Sequence, residues 1–119
     1  MADYSVCKLD EIEGSYGGVF KGVRAALDAT AFGINVLELP PNFQDYPEHD
    51  HSDDGQEEVY TAIAGSAELD IEGERVPLVP DTFIRVAAGT KRKIYPGPDG
   101  VKILAVGSPV GAYKPEAGT

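Results

Sequence analysis

The chain has 119 residues and sets 20 acidic against 10 basic side chains, a formal charge of −10. That charge repels phosphate backbones and anionic lipid surfaces, so nucleic acid and membrane are not expected as partners. No apolar run approaches the ~20 residues of a membrane span. Cys7 stands alone, which precludes an intrachain disulfide, and the opening MADYSVCKLDEIEG lacks a secretory pattern, so a cytoplasmic location is expected. A chain of this size buries enough surface to hold one domain together without a disulfide or structural metal.

In chain order, residues 1–31 read as an N-terminal strand or arm that packs on the main domain or on a dimer partner. Within it, GVRAALDAT near Arg24 to Thr30 is too short and too poorly capped for a helix of any length, and reads as a strand or a single turn. FGINVLELPP, Phe32 to Pro41, is β-branched, apolar and closed by a Pro-Pro pair, as a strand should be. EVYTAIAGSAELDIEGERVPLV reads as two strands around a hairpin at Glu72-Gly73, where glycine accepts the positive φ of a tight turn. TFIRVAAG adds a strand, and KRKIYPGPDGVKILAVG two more around the five-residue loop PGPDG. Short strands between regular turn signals predict an all-β barrel or sandwich of about ten strands over residues 32–107, followed by a tail at 108–119.

Both histidines, His49 and His51, lie in YPEHDHSDDGQEEVYTAIAG. Strand alternation puts them on one face, with Glu48 and Asp50 on the other; the charged face belongs in water, so the histidines are expected to point inward. By the same parity Glu58 and Tyr60 share a face if the next strand begins near Glu57. Two imidazoles and a carboxylate form the donor set that suits Fe(II) and other borderline divalent ions and leaves positions open for substrate. A solvated loop bearing two ordinary imidazoles remains the alternative. Tyr60 could orient a substrate or simply pack. Cys7 reads as a small hydrophobe.

The stretch from Phe43 to Gly65, with RVPLVPDTFIRVAAGTKRKIY after it, resembles the two motifs of the cupin family. His49, His51, Glu58 and Gly65 occupy the first motif; Phe43 stands where its first glycine is expected, and the spacer Ser52 to Glu57 is longer than usual. The second motif keeps only Gly89. Asp81 and Ala87 replace its first glycine and its proline, and Arg92 sits where the last metal-binding histidine should be. Guanidinium offers no lone pair, so any metal falls to His49, His51 and Glu58.

The resemblance implies a small antiparallel jelly-roll β-barrel with little or no helix, a homodimer, and a site for a small organic molecule with one divalent metal: Fe, Mn, Zn or Ni. Parity puts Arg92 on the inward face with Ile94, and Tyr95 outward. Arg92 then either binds an anionic ligand or pairs with Glu58 in place of a metal; a charged strand start guarding an edge is the alternative. With Arg92 and Tyr60 as ligand-binding candidates, three functions stay open. They are a metal-dependent dioxygenase-like enzyme or isomerase, a metal-free ligand-binding or sensory barrel, and a structural module serving a dimer.

Overall fold

The computed structural model describes residues 1–118. After a 3₁₀ turn at Leu9–Glu11 come strand β1 (Phe20–Lys21), helix α1 (Val23–Leu27) and strands β2 (Gly33–Leu39), β3 (Gln56–Ile71), β4 (Glu74–Leu78), β5 (Phe83–Val86) and β6 (Arg92–Pro109). All strand pairs are antiparallel. The sheet runs β1-β2-β6-β3-β4, with β5 paired to β3. No helix among the described residues is long and apolar enough to cross a membrane.

The expected count of about ten strands is corrected to six among the described residues: β6 runs unbroken through PGPDG, where a loop was expected, and β3 is a single strand of 16 residues. PGPDG is not a loop between two strands. It is a bulge in one strand: Gly65 pairs with Val101 and Ala67 with Pro96, so residues 97–100 stand opposite Ser66 alone. Bulges re-aim side chains. In β6 the inward residues are Arg92, Ile94 and Pro96 before the bulge and Val101, Ile103 and Ala105 after it. In β3 they change from Tyr60 and Ala62 to Ala67 and Leu69. Both strands change phase at the same level, so each keeps one face in the core along its full length.

Gly65 makes this possible. It lies at φ 73°, and a Cβ built on it would come within 2.2 Å of the Gly100 carbonyl oxygen. The motif glycine is therefore required by backbone conformation and by close approach together.

At the β3–β4 hairpin both central residues are left-handed, Glu72 at φ 51° and Gly73 at φ 96°, the signature of the primed turn that matches strand twist. Asp70 supports it by accepting from the Gly73 amide at 2.9 Å. The GVRAAL segment forms the five-residue helix α1, closed by Asp28 in the left-handed region. Within the N-terminal segment, Phe20 and Lys21 pair with Leu37 and Val36 of this chain's own sheet.

The core centres on Tyr60, Leu69, Leu78, Val86, Ile94 and Ile103, all fully buried. Gly65→Ala should cost at least about 2 kcal/mol, from left-handed strain plus overpacking. Urea denaturation checks this, and an unchanged midpoint would disprove the account of the paired bulges.

Candidate metal centre

The histidine loop is held to the barrel through its backbone. His49 and Arg92 exchange both amide hydrogen bonds, at 3.0 and 2.9 Å, and the His51 amide donates to the Ala88 carbonyl at 2.7 Å. These bonds impose strand-like alternation on residues 49–51. Both imidazoles turn toward Glu58, while Asp50 turns away and accepts from the Ser52 amide and hydroxyl. The parity expected from the sequence holds.

His49, His51 and Glu58 each offer a ligand atom, all within 4.8 Å of one another. His51 Nε2 is 3.1 Å and His49 Nε2 3.8 Å from Glu58 Oε1. Spacings near 3–4 Å are those of atoms sharing one ion through bonds of about 2.0–2.2 Å. The far nitrogens are engaged as well. His49 Nδ1 meets the Pro47 carbonyl at 3.3 Å, and His51 Nδ1 meets the Asp54 carboxylate at 3.1 and 3.2 Å. In the neutral tautomer that donates from each Nδ1 to its acceptor, both Nε2 lone pairs point inward. Two lone pairs facing a carboxylate oxygen repel unless a proton or a cation lies between them. The donor set fits a divalent ion.

Two further groups reach the same oxygen. The Tyr60 hydroxyl donates to Glu58 Oε1, and Arg92 Nη2 lies 3.7 Å from it. Burial alone would raise the Glu58 carboxyl. The imidazole of His49, the Tyr60 hydroxyl and the charges of His51 and Arg92 outweigh that and hold it below the usual range. Burial, then the adjacent Glu58 carboxylate, pushes the Tyr60 phenol far up, so it remains a donor. Tyr46 is raised to about 12 by burial, then by Tyr16 and Glu58.

Above this floor lies a cavity of about 490 Å³ whose wall includes His49, His51, Glu58 and Tyr60. Arg92 does not line it. Its side chain is 0% exposed and sits behind Glu58, with Nη2 donating to the Ala87 carbonyl at 3.4 Å and Nε and Nη1 unpartnered. Of the roles expected for Arg92, the geometry shows the ion pair. Arg92 is not among the residues that line the cavity, so its guanidinium is not placed there as a ligand clamp; the exposed strand start is corrected by its full burial. Tyr95 faces outward as expected, stacked under the Arg75 guanidinium at 3.9 Å.

The cation that does line the cavity is Arg24, which sequence reasoning passed over. Strand parity says nothing about a helical residue; the available signal was a pair of cations, Lys21 and Arg24, among the apolar residues of YGGVFKGVRAAL.

Neither a protein-family model nor a curated relative matches the sequence. Solved structures do. A cupin protein from Bacteroides fragilis superposes with a TM-score of 0.81 at 20% identity, covering 98% of this chain and 93% of that one. The chain has the cupin fold. The cupin domain of an XRE-family transcriptional regulator from Enterobacter cloacae matches at TM-score 0.65 and 21% identity, over 82% of this chain and 97% of that one. A cupin-superfamily sugar phosphate isomerase from Silicibacter pomeroyi matches at 0.70 and 21%, over 87% and 75%. The all-β cupin barrel anticipated from the His49 to Gly65 motif is therefore the fold observed, and the His-x-His and Glu of that motif meet at the cavity floor.

Glu58→Gln should destabilise the protein by about 3–5 kcal/mol at pH 7, since it leaves the Arg92 charge buried without its counter-ion. Arg92→Met, which removes the buried charge and its unpartnered N–H groups, should cost less than about 1.5 kcal/mol. Glu58 is lowered in the fold, so its contribution is present above the unfolded-state value and lost as pH falls through the folded one. The deficit of Glu58→Gln should accordingly shrink at pH 3 in urea titrations. Equal losses for both variants at both pH values would refute the ion-pair account.

Proposed function

We propose that this cupin binds a small organic molecule in its cavity and that His49, His51 and Glu58 hold a divalent cation at the floor, for metal-assisted chemistry of the isomerase or dioxygenase-like kind. The observation that carries this reading is the pair of imidazoles anchored at Nδ1 with both Nε2 atoms turned toward Glu58 Oε1. A cation there supplies Lewis acidity toward an oxygen of the bound molecule. The Tyr60 hydroxyl donates to Glu58 Oε1 and so orients the carboxylate, while the barrel wall limits water. The named activity of the Silicibacter pomeroyi neighbour lends support to isomerase chemistry.

A metal-free ligand-binding cupin is the second reading, favoured by the Arg92–Glu58 contact at 3.7 Å, which already supplies the carboxylate with a cation. A homodimer is also proposed, through the outer face that exposes Ile63 and Phe83; a monomer mass by light scattering at micromolar concentration would remove it.

Metal content by mass spectrometry after dialysis against Fe, Mn, Zn or Ni should show one ion per chain in the parent and none in His51→Ala. Arg92→His should take up more, by adding a ligand and removing a competing charge. Uptake should weaken as pH falls below the ordinary imidazole range, roughly 6.5, because ligating imidazoles must be unprotonated. A parent that retains no metal would leave the metal-free reading standing.

A further inference from the structure

The burial of Arg92 removes the residue first expected to receive an anionic ligand, yet the cavity has another cation. Arg24, exposed on α1, is the sole Lys or Arg on its wall among the described residues, and Glu58, already engaged at the floor, is the sole carboxylate. The Arg24 side chain folds back over the end of its own helix, where Nη1 donates to the Ala29 carbonyl at 2.9 Å. That bond tethers the guanidinium, and Nε and Nη2 have no protein partner among the described residues. A guanidinium held by one nitrogen retains the donors that suit a planar oxyanion.

The position of Arg24 is as informative as its charge. A shallower depression of about 370 Å³ adjoins the cavity and shares three wall residues with it: Arg24, Gly33 and Gln56. Gly33 pairs in register with Gly107, so this stretch of wall has no side chains. The gap holds the Gln56 amide: a Cβ on Gly107 would come within 2.7 Å of its Oε1. Gln56 Nε2 donates to Asp54 Oδ2 at 2.9 Å, and that carboxylate also holds His51 Nδ1. Arg24 thus stands where the deep cavity passes into an outer groove.

We propose that cavity and groove form one elongated site for a small organic acid with two poles. Its chelating end lies among His49, His51 and Glu58, and a remote carboxylate or phosphate rests on Arg24. The first pole depends on the metal reading above; the second does not.

The test uses matched probes on the full chain, with and without Co²⁺: 2-oxopentanedioate, 2-oxo-4-phosphonobutanoate and 2-oxopentanoate, which differ only at the remote end. Calorimetry should show one or both of the doubly anionic probes binding about tenfold more tightly than 2-oxopentanoate, the worth of one charge-assisted contact. The tighter of the two identifies the remote group. Arg24→Gln, on an exposed helical position that glutamine suits as well, should erase the preference while leaving Co²⁺ uptake and 2-oxopentanoate binding unchanged. Raising the salt should shrink the preference in the parent and not in the variant. Absence of Co²⁺ uptake would sink the metal reading alone, because the preference is then measured on the metal-free protein. A parent without the preference, or an Arg24→Gln variant that retains it, overturns the Arg24 subsite.

Discussion

A single carboxylate oxygen, Glu58 Oε1, is where the barrel's demands meet. Two imidazoles, a phenol and a fully buried guanidinium converge on it from the histidine loop, from β3 and from the start of β6. Each needs it for a different reason. Arg92 requires a counter-charge because an unpaired cation in a core costs several kcal/mol. The histidines require something positive between their lone pairs and that oxygen. Tyr60 requires an acceptor for a hydroxyl that water does not reach. The carboxylate sits on a side chain only 12% exposed, where interactions of this kind are screened far less than at the surface.

The convergence sets up a competition. A divalent ion and a guanidinium next to one carboxylate repel each other, and at an effective dielectric of ~20 two unit charges about 4 Å apart already interact by roughly 4 kcal/mol. Arg92 thus weakens the site for metal while supporting the site's fold. Its own accommodation is incomplete, with Nε and Nη1 buried and unpartnered, a cost tolerated where the surrounding structure fixes the group in place.

How much of this was legible in the sequence depends on the range over which each rule acts. Period-2 alternation is local, so it placed His49, His51 and Glu58 on one side and Tyr95 on the other correctly. It also put Arg92 inward, but inward covers both the cavity wall and the packed layer behind it, and parity does not separate the two. The strand count failed for a related reason. Gly and Pro at PGPDG mark a break in regular pairing, yet whether the chain turns back or bulges onward is decided by the partner strand, here by Gly65 against Gly100. Arg24 escaped notice because its place on the cavity wall comes from α1 packing on β2, a tertiary fact with no periodic trace.

The exchange of backbone hydrogen bonds between His49 and Arg92 has a meaning beyond the residues now present. Neither bond involves a side chain, so the main chain alone carries the Cα–Cβ direction of position 92 toward Glu58. The scaffold sets that direction whichever side chain stands there. Frame and ligand set are in this sense separable: one codon at position 92 determines whether the carboxylate faces a fixed organic cation or an imidazole, and the barrel that presents the choice need not be rebuilt. The identity of residue 92 thus decides what a metal must compete with at Glu58.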